Sequence, residues 1–233
     1  MLLLAFDTAT PAVTVALYAD TDSTVLAHST VVDARRHGEL LAPGIQQVLD
    51  TAGRSAREVT DIAVGVGPGP FTGLRVGLVT ALALGDALGA RVHGVCTLDV
   101  LAEAYAAAGG TGEFAVATDA RRREVYWARY TTDTASSAGC RRLTEPAVDR
   151  PAVAAEAVGD LPVVGAGSRL YPEQLRTAAD PELPDAAVLA ELAARRLAAG
   201  EPLLEPYPLY LRRPDAVEPG ERKKVLPGVT GSG

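Results

Sequence analysis

A glycine-rich loop between an apolar strand and a long helical segment is the first candidate for chemistry in this chain. The loop Gly67-Pro68-Gly69-Pro70 follows the apolar run Ile62–Val66. A strand, a turn and a helix N-terminus in this order can bind an anion, because backbone N–H groups and the helix dipole point at the turn. However, the loop lacks the Lys and Ser/Thr of a P-loop, and its glycines lack the G-x-G-x-x-G spacing of a dinucleotide site. The sequence therefore does not favour a phosphate site here.

Small residues recur every four positions along the helix that follows the loop, at Gly73, Gly77, Ala81 and Gly85. We expect Thr72 to cap its N-terminus. Four residues advance about 40° around a helix, so the first three share a groove and Gly85 drifts off it. Because glycine costs roughly 1 kcal/mol against alanine inside a helix, the row needs a packing reason. Two explanations are open, a close helix of the same domain or a close neighbour from another chain.

Charge and composition exclude several classes of protein. The chain has 233 residues, 48% of them hydrophobic, and a net charge of −7. Its only lysines, Lys223 and Lys224, lie near the end, which excludes a P-loop lysine or a Schiff-base lysine in the preceding body. An acidic body without lysine is also a poor autonomous nucleic-acid binder. The one basic run, Arg121–Arg123, is either a solvated turn or part of an anion-facing rim.

Cysteine and histidine spacing predicts neither a metal site nor a disulfide. Cys96 and Cys140 form no close pair and indicate buried thiols, and the three histidines, at positions 28, 37 and 93, are isolated in sequence. The apolar run 74–90 contains Arg75 and Asp86, which makes it a poor membrane span. Met1 leads directly into apolar residues without a basic region or a cleavage site. We therefore expect a cytoplasmic protein without a membrane span.

Hydrophobic periodicity predicts the same order of elements twice along the chain. The first half gives strands at Leu2–Asp7, Val13–Tyr18 and Val25–Val32, a helix with Leu41, Ile45, Val48 and Ala52 on one face and Gly53 as its stop, a strand at Ile62, the small-residue helix, and a short strand near Val92–Val95. A connecting helix spans Thr97–Ala108. The second half gives strands at Phe114–Thr118, Val125–Tyr130 and Cys140–Leu143, a helix at Ala152–Val158, a strand at Leu161–Val164 and a helix at Ala186–Ala198.

Three strands, a helix, a strand and a helix, repeated, are typical of the actin-like ATPase (ribonuclease H-like) fold. We therefore predict an α/β protein with two duplicated βββαβα lobes facing a cleft. The predicted lobes are residues 1–96 and 97–212, and the last segment of the second can return to the first. Residues 213–233, rich in Pro and Gly, are predicted to be a disordered tail.

In that fold, chemistry lies at the openings of the two hairpins and at a strand–glycine turn of the second lobe. Asp7 and Asp119 occupy the two openings, and Gly165 and Gly167 the turn. Paired aspartates across a cleft can hold Mg²⁺ and nucleotide phosphates, which makes these four residues a candidate nucleotide site. Turn chemistry explains the aspartates equally well, because Asp at a hairpin hydrogen-bonds its own backbone. The sequence leaves both explanations open.

Four motifs resemble the bacterial YeaZ/TsaB family, accessory proteins of tRNA threonylcarbamoyladenosine (t6A) biosynthesis. They are LAFDTAT at 4–10, GPGPFTGLRVG at 67–77, DARRREVYWA at 119–128 and PLYLR at 208–212. The motifs keep the family's order and cover roughly residues 1–212, and the second is highly specific. Two small departures are Pro70 and Gly38, where the family usually has Ser.

The resemblance implies a non-catalytic scaffold that dimerises with a related, TsaD/Kae1-like catalytic subunit. That subunit transfers a threonylcarbamoyl group to the adenine beside the anticodon. The resemblance further implies that this chain has no cofactor of its own and that ATP and Mg²⁺ act only in the complex. It implies that tRNA binds only through the complex. It also implies a TsaE-like small ATPase as a second partner, and a homodimer of this chain when the catalytic chain is absent. The family's heterodimer forms through helices of the first lobe, so the predicted partner interface comprises Leu41, Ile45, Val48, Gly73, Gly77 and Ala81.

Two rival functions come from other classes of protein. An independent small-molecule kinase or ATPase of the same fold would bind ATP and Mg²⁺ at Asp7, Asp119 and the Gly165 turn. The short chain leaves such a kinase little room for a substrate domain. A peptidase would need a zinc-binding His pair or a Ser/His/Asp arrangement, and the sequence shows neither.

Overall fold

The computed structural model of the protein describes residues 1–133 and 139–212, and within them the chain forms two mixed β-sheets. The first sheet has the order β3-β2-β1-β4-β5, with β1, β2 and β3 antiparallel and β1, β4 and β5 parallel. Its strands are β1 (Leu2–Asp7), β2 (Ala12–Ala19), β3 (Thr24–Val32), β4 (Asp61–Gly65) and β5 (Arg91–Val95).

The second sheet repeats the centre of the first. It has the order β11-β10-β6-β7-β8, and β9 also pairs with β7. An antiparallel hairpin, β6–β7, has the parallel strand β10 beside its first strand, as β1–β2 has β4. This topology confirms the predicted duplicated fold. The strands are β6 (Glu113–Asp119), β7 (Val125–Thr132), β8 (Cys140–Arg142), β9 (Ala147–Asp149), β10 (Val163–Val164) and β11 (Ala178–Ala179).

The predicted third strand of the second half, Cys140–Leu143, corresponds to β8, and the sequence did not predict the short strand β9 that follows it. Between them, the backbone N–H of Arg129 in β7 donates to the Thr144 side-chain hydroxyl (3.0 Å) instead of to a strand carbonyl. Pro146 follows, and a proline has no N–H to donate to a strand ladder. The ladder to β7 therefore stops and restarts.

Within the described residues, six helices and a short 3₁₀ turn (Ala56–Glu58) join the strands. Gly53, with φ +63°, ends α1 as predicted. Helix α2 begins one residue before Thr72, with Pro70 at the N-cap and no side-chain cap bond, so the predicted Thr72 cap is wrong. The helices are α1 (His37–Thr51), α2 (Phe71–Leu88), α3 (Thr97–Ala107), α4 (Pro151–Val158), α5 (Ala166–Leu170) and α6 (Ala186–Ala198).

The helices and sheets form alternating layers. Helices α1 and α2 pack on one face of the first sheet, against Leu4 and Phe6 of β1. Helix α6, although late in the chain, packs on the other face of that sheet, against Leu3 and Ala5. Because both faces are covered, β1 is buried at every position, which explains its unbroken apolar sequence. Helix α3 covers one face of the second sheet and α4 the other.

Among the described residues, α2 is the one helix long and apolar enough to cross a membrane, judged by length and composition. Core helices of soluble proteins pass the same test. In the structure, α2 lies against β4 and β5 of the first sheet and ends at Gly89, which has φ +68°. Its apolar character is thus partly explained by packing.

Candidate functional site

The openings of the two hairpins face each other across a cleft of about 300 Å³. The β1–β2 turn contributes Ala9 and Thr10, the end of β6 contributes Asp119, and α5 contributes Ala166 and Arg169. The predicted cleft between the two halves is therefore present, and its walls are mostly apolar. The remaining lining residues are Pro11, Val32, Pro70, Thr118, Arg121, Leu170, Glu182 and Leu183.

Asp7, the last residue of β1, is fully buried and does not line this cleft. One carboxylate oxygen accepts the backbone N–H of Ala9 (2.6 Å), and the other accepts the hydroxyl of Thr97 (2.7 Å). Burial raises the pKa of Asp7 to about 6, although both hydrogen bonds oppose the shift. Gly65 lies so close that an added Cβ would overlap the carboxyl group. Asp7 therefore shapes the hairpin turn and ties it to the start of α3.

Asp119 lines the cleft, in contrast to Asp7. Its side chain accepts the backbone N–H of Arg121 (2.7 Å) and forms an ion pair with the Arg121 guanidinium (3.1 Å). This is the turn chemistry that the sequence offered as its second explanation. In this conformation Asp119 is the one candidate carboxylate that reaches the cleft.

Gly165 and Gly167 allow the turn after β10 to pack directly on β6. Gly165 has φ +98°, and an added Cβ would overlap the Ala117 carbonyl oxygen. At Gly167 a Cβ would lie 2.7 Å from the Ala117 Cβ. The two glycines thus have a packing reason, and the turn places the first residue of α5, Ala166, at the cleft wall.

Thr118 is a cleft residue that the sequence did not single out. It is 4% exposed, and its hydroxyl has no hydrogen-bond partner within residues 1–133 and 139–212. Its place in β6 directly before Asp119 is the only sequence signal that could have identified it.

The small-residue row of α2 faces this chain's own first sheet. The Thr8 hydroxyl donates to the Gly73 carbonyl oxygen (2.8 Å) and accepts the Gly77 N–H (3.1 Å). An added Cβ at Gly77 would lie 2.6 Å from that hydroxyl, and one at Gly85 would overlap Val92 of β5. Both explanations offered for the row are wrong, because its neighbour is neither another helix nor another chain. Its neighbours are the β1–β2 hairpin and the sheet.

The other residues predicted at the partner interface are also internal. Leu41, Ile45 and Val48 of α1 and Ala81 of α2 are buried in the core beneath the two helices. The six predicted residues therefore do not form an exposed surface. They lie on the faces of α1 and α2 that pack on the first sheet.

The opposite face of α2 carries an exposed apolar surface. Phe71 is 53% exposed, Val79 60% and Leu82 45%. At about 100° per residue they lie within an arc of about 80°, together with Arg75 and Asp86. We call three of these residues, Val79, Leu82 and Asp86, which lie toward the C-terminal half of the helix, the α2 outer face.

Comparisons with known proteins give a consistent result. A family model described as TsaD: tRNA N6-adenosine threonylcarbamoyltransferase matches residues 24–165. The chain is 35% identical over 226 residues to the tRNA threonylcarbamoyladenosine biosynthesis protein TsaB of Escherichia coli, covering 91% of this chain and 95% of that protein. TsaB of Haemophilus influenzae is 30% identical over 222 residues, covering 90% and 93%. The chain belongs to the YeaZ/TsaB family.

A solved structure of a family member supports the fold of this YeaZ/TsaB chain over nearly its whole length. YeaZ from Pseudomonas aeruginosa superposes with a TM-score of 0.78 at 33% identity, covering 90% of this chain and 99% of that one. The predicted resemblance and the actin-like fold are thereby confirmed.

The two cysteines of this YeaZ/TsaB chain are free and buried, as predicted. Burial raises the pKa of both Cys96 and Cys140 to about 12. In the part of the chain that the structure describes, no three His, Cys, Asp or Glu side chains converge where they could hold a metal ion.

Proposed function

We propose that this chain is a non-catalytic scaffold subunit that acts in t6A formation by binding a TsaD-type catalytic subunit. Full-length similarity to proteins named TsaB supports a role in t6A biosynthesis. The match to a TsaD family model fits a scaffold that shares its ancestry with the catalytic subunit. In this proposal the chain is soluble and cytoplasmic, has no cofactor of its own, and contacts tRNA only inside the complex, where ATP and Mg²⁺ act.

The observation that carries the proposal is the α2 outer face. Its two large apolar side chains, Val79 and Leu82, are 60% and 45% exposed on one side of a helix whose other side is fixed to the sheet. Contiguous exposed apolar surface of this kind marks an interaction site. Family membership supports a TsaD-type subunit as its occupant. We propose that a second copy of this chain occupies the same face when that subunit is absent, and that a TsaE-like ATPase binds nearby.

The experiment compares two exposed valines. Val79 lies on the α2 outer face, and Val153, 49% exposed, lies on α4 beyond the second sheet. We expect Val79→Glu to weaken calorimetric binding to the TsaD-type subunit of the same organism by about ten- to a hundredfold, because a charge would enter an apolar contact. Val153→Glu should bind normally, and both variants should unfold within about 0.5 kcal/mol of wild type.

Two outcomes would contradict these proposals separately. Normal binding by Val79→Glu would reject the α2 outer face as the interface. A wild-type chain that neither binds the TsaD-type subunit nor supports t6A formation would reject the function itself.

The alternative of an independent kinase is less well supported by the site. Such an enzyme needs both aspartates at the cleft, but the Asp7 carboxylate is buried and accepts two hydrogen bonds from its own chain. A calorimetric titration of the isolated chain with Mg-ATP tests this alternative. Micromolar binding that is lost in Asp119→Asn would favour the kinase.

A further inference from the structure

A second groove, of about 380 Å³, lies where the β6–β7 turn meets the start of α2 and the last described residues of the chain. Aromatic rings and guanidinium groups share its lining. The rings are Phe71, Tyr126 and Tyr210, and the arginines are Arg121, Arg122 and Arg212. We call this the aromatic–arginine groove.

Two of the rings form an open stacked pair. The centroids of Phe71 and Tyr210 are 5.5 Å apart, with an angle of 29° between the ring planes. The side chains are 53% and 45% exposed, so ring surface is accessible to a further planar group. The guanidinium of Arg75 lies 5.0 Å from the Phe71 centroid. A flat, electron-rich group next to cations is the environment in which proteins stack nucleic-acid bases.

The arginines are presented by an unusual backbone. Arg121, Arg122 and Arg123 have φ values of +60°, +53° and +61°. Left-handed conformation is unfavourable for any residue with a Cβ, and such strain concentrates at functional sites. Two backbone hydrogen bonds close the turn, Ala120 N–H to the Glu124 carbonyl and Glu124 N–H to the Arg121 carbonyl, each 3.0 Å. The strained turn therefore holds three successive arginines at one hairpin tip.

Positive charge is in local excess around this groove, in a chain whose net charge is −7. Asp119 pairs with Arg121, and Glu124 pairs with Arg212. A guanidinium has five N–H donors, so each paired arginine retains donors for a second acceptor. Arg75 and Arg123 add two more positive charges. This arrangement suits a phosphate backbone beside the aromatic pair.

We propose that the aromatic–arginine groove binds a single-stranded segment of the tRNA, with its phosphates on the arginines and an unstacked base on the Phe71–Tyr210 pair. The inference rests on the proposed function, because the acidic chain alone repels RNA and the groove acts on tRNA that the complex already holds.

The test uses the reconstituted complex of this chain with the TsaD-type and TsaE-like subunits, and matched variants. Tyr210→Ala removes a ring of the pair, and Tyr207→Ala is its control, since Tyr207 is exposed on the same segment but does not line the groove. Arg122→Gln removes a groove charge. Arg57→Gln removes an exposed charge from the 3₁₀ turn before β4, at the opposite end of the first sheet.

We expect Tyr210→Ala to raise the KM for tRNA about fivefold to a hundredfold, which is the usual effect of losing one stacked base. Arg122→Gln should raise it less and reduce the slope of log affinity against log salt by about 0.7 for each phosphate that the Arg122 guanidinium neutralises. The kcat values and the affinity for the TsaD-type subunit should stay within about twofold of wild type. Both controls should resemble wild type throughout. A KM for tRNA that is unchanged in both groove variants would overturn the proposal.

Two other outcomes would also overturn the proposal. Loss of TsaD-type binding in Tyr210→Ala would assign the groove to a protein interface. AMP or ATP binding to the isolated chain that depends on Tyr210, with tRNA kinetics unaffected, would assign the groove to a free nucleotide.

Photo-crosslinking of thiouridine-substituted tRNA gives a readout independent of activity. We expect crosslinks within 119–126 or 208–212, and crosslinks confined to the other subunits would contradict the proposal. A wild-type complex that holds crosslinked tRNA but forms no t6A would count against the proposed function instead.

Discussion

Gly73→Ala should destabilise the isolated chain, although alanine is the better helix former. Gly73 lies in the first turn of α2, and an added Cβ would overlap the carbonyl oxygen of Thr8 in the β1–β2 turn. The Thr8 hydroxyl also bonds both the Gly73 carbonyl (2.8 Å) and the Gly77 N–H (3.1 Å), two groups that a regular helix would join to each other. The methyl group can be accommodated only if the backbone of the hairpin or the helix moves.

The expected size of the effect follows from two opposing terms. Overpacking typically costs 1–3 kcal/mol, and replacing glycine within a helix regains at most about 1 kcal/mol. We therefore expect a net loss of about 1–2 kcal/mol in the free energy of unfolding. In a chain of this size, each 1 kcal/mol lowers Tm by about 2–4 °C. Thermal unfolding should thus shift down by roughly 2–8 °C.

Urea and thermal unfolding followed by circular dichroism measure this effect against a matched control. Gly38→Ala places the same methyl group in α1, where no atom lies within 4 Å of the added Cβ. The control should be as stable as wild type or slightly more stable. If Gly73→Ala unfolds like Gly38→Ala, the hairpin does not pack closely on α2 and the explanation of the small-residue row fails.

Three further predictions concern buried groups. Burial raises the pKa of Asp7 from 3.8 to about 6, so the stability that this raised pKa contributes is fully present below about pH 4 and is lost as the pH rises through 6. Asp7→Asn should remove this dependence. Urea unfolding at pH 4 and pH 7 measures it, and an equal change in the free energy of unfolding between the two pH values in wild type and Asp7→Asn would contradict the prediction. Cys96 and Cys140 should resist iodoacetamide at about pH 8 until guanidinium unfolds the chain, because burial raises both pKa values to about 12. Alkylation of either cysteine in the native protein, detected by mass spectrometry, would contradict this prediction. Gly77→Leu should lower Tm, contrary to the idea that this row meets a partner, and an unchanged Tm with weakened TsaD-type binding would restore that idea.

The sequence predicted the long elements of the fold and the short strands β8 and β10, but it missed β9, α5 and β11. Strand β1 and helix α1 have enough residues for their apolar spacing to show a period. Helix α5 has five residues and strand β11 has two, and segments of this length show no period. Strand β9 forms only because β7 is there to pair with it, and this pairing is a tertiary property that local sequence does not show. Residues 213–233, predicted to be disordered, lie outside the described residues.

The candidate site was only partly predictable, for a similar reason. Spacing correctly identified the face of α2 that needs small residues, but it carries no information about the neighbour. That neighbour is Thr8, about sixty-five positions earlier in the chain. Likewise, sequence placed Asp7 and Asp119 at equivalent hairpin ends, but it could not show that only Asp119 lines the cleft. Thr118 and the aromatic–arginine groove depend on three separate segments meeting in space.

The two faces of α2 have different roles, and they are mechanically connected. Gly73 and Gly77 let the helix lie close to the first sheet, where the Thr8 hydroxyl fixes its first two turns. Val79 and Leu82 on the α2 outer face move as one body with those turns, because a helix bends little over two turns. A substitution at Thr8 should therefore weaken binding of the proposed partner even though Thr8 is buried and cannot touch it. Thr8→Val, which keeps the shape and removes both hydrogen bonds, should reduce stability and TsaD-type affinity together, whereas Val79→Glu should reduce affinity alone. If Thr8→Val loses stability and binds the partner normally, the outer face does not depend on how the hairpin holds the helix.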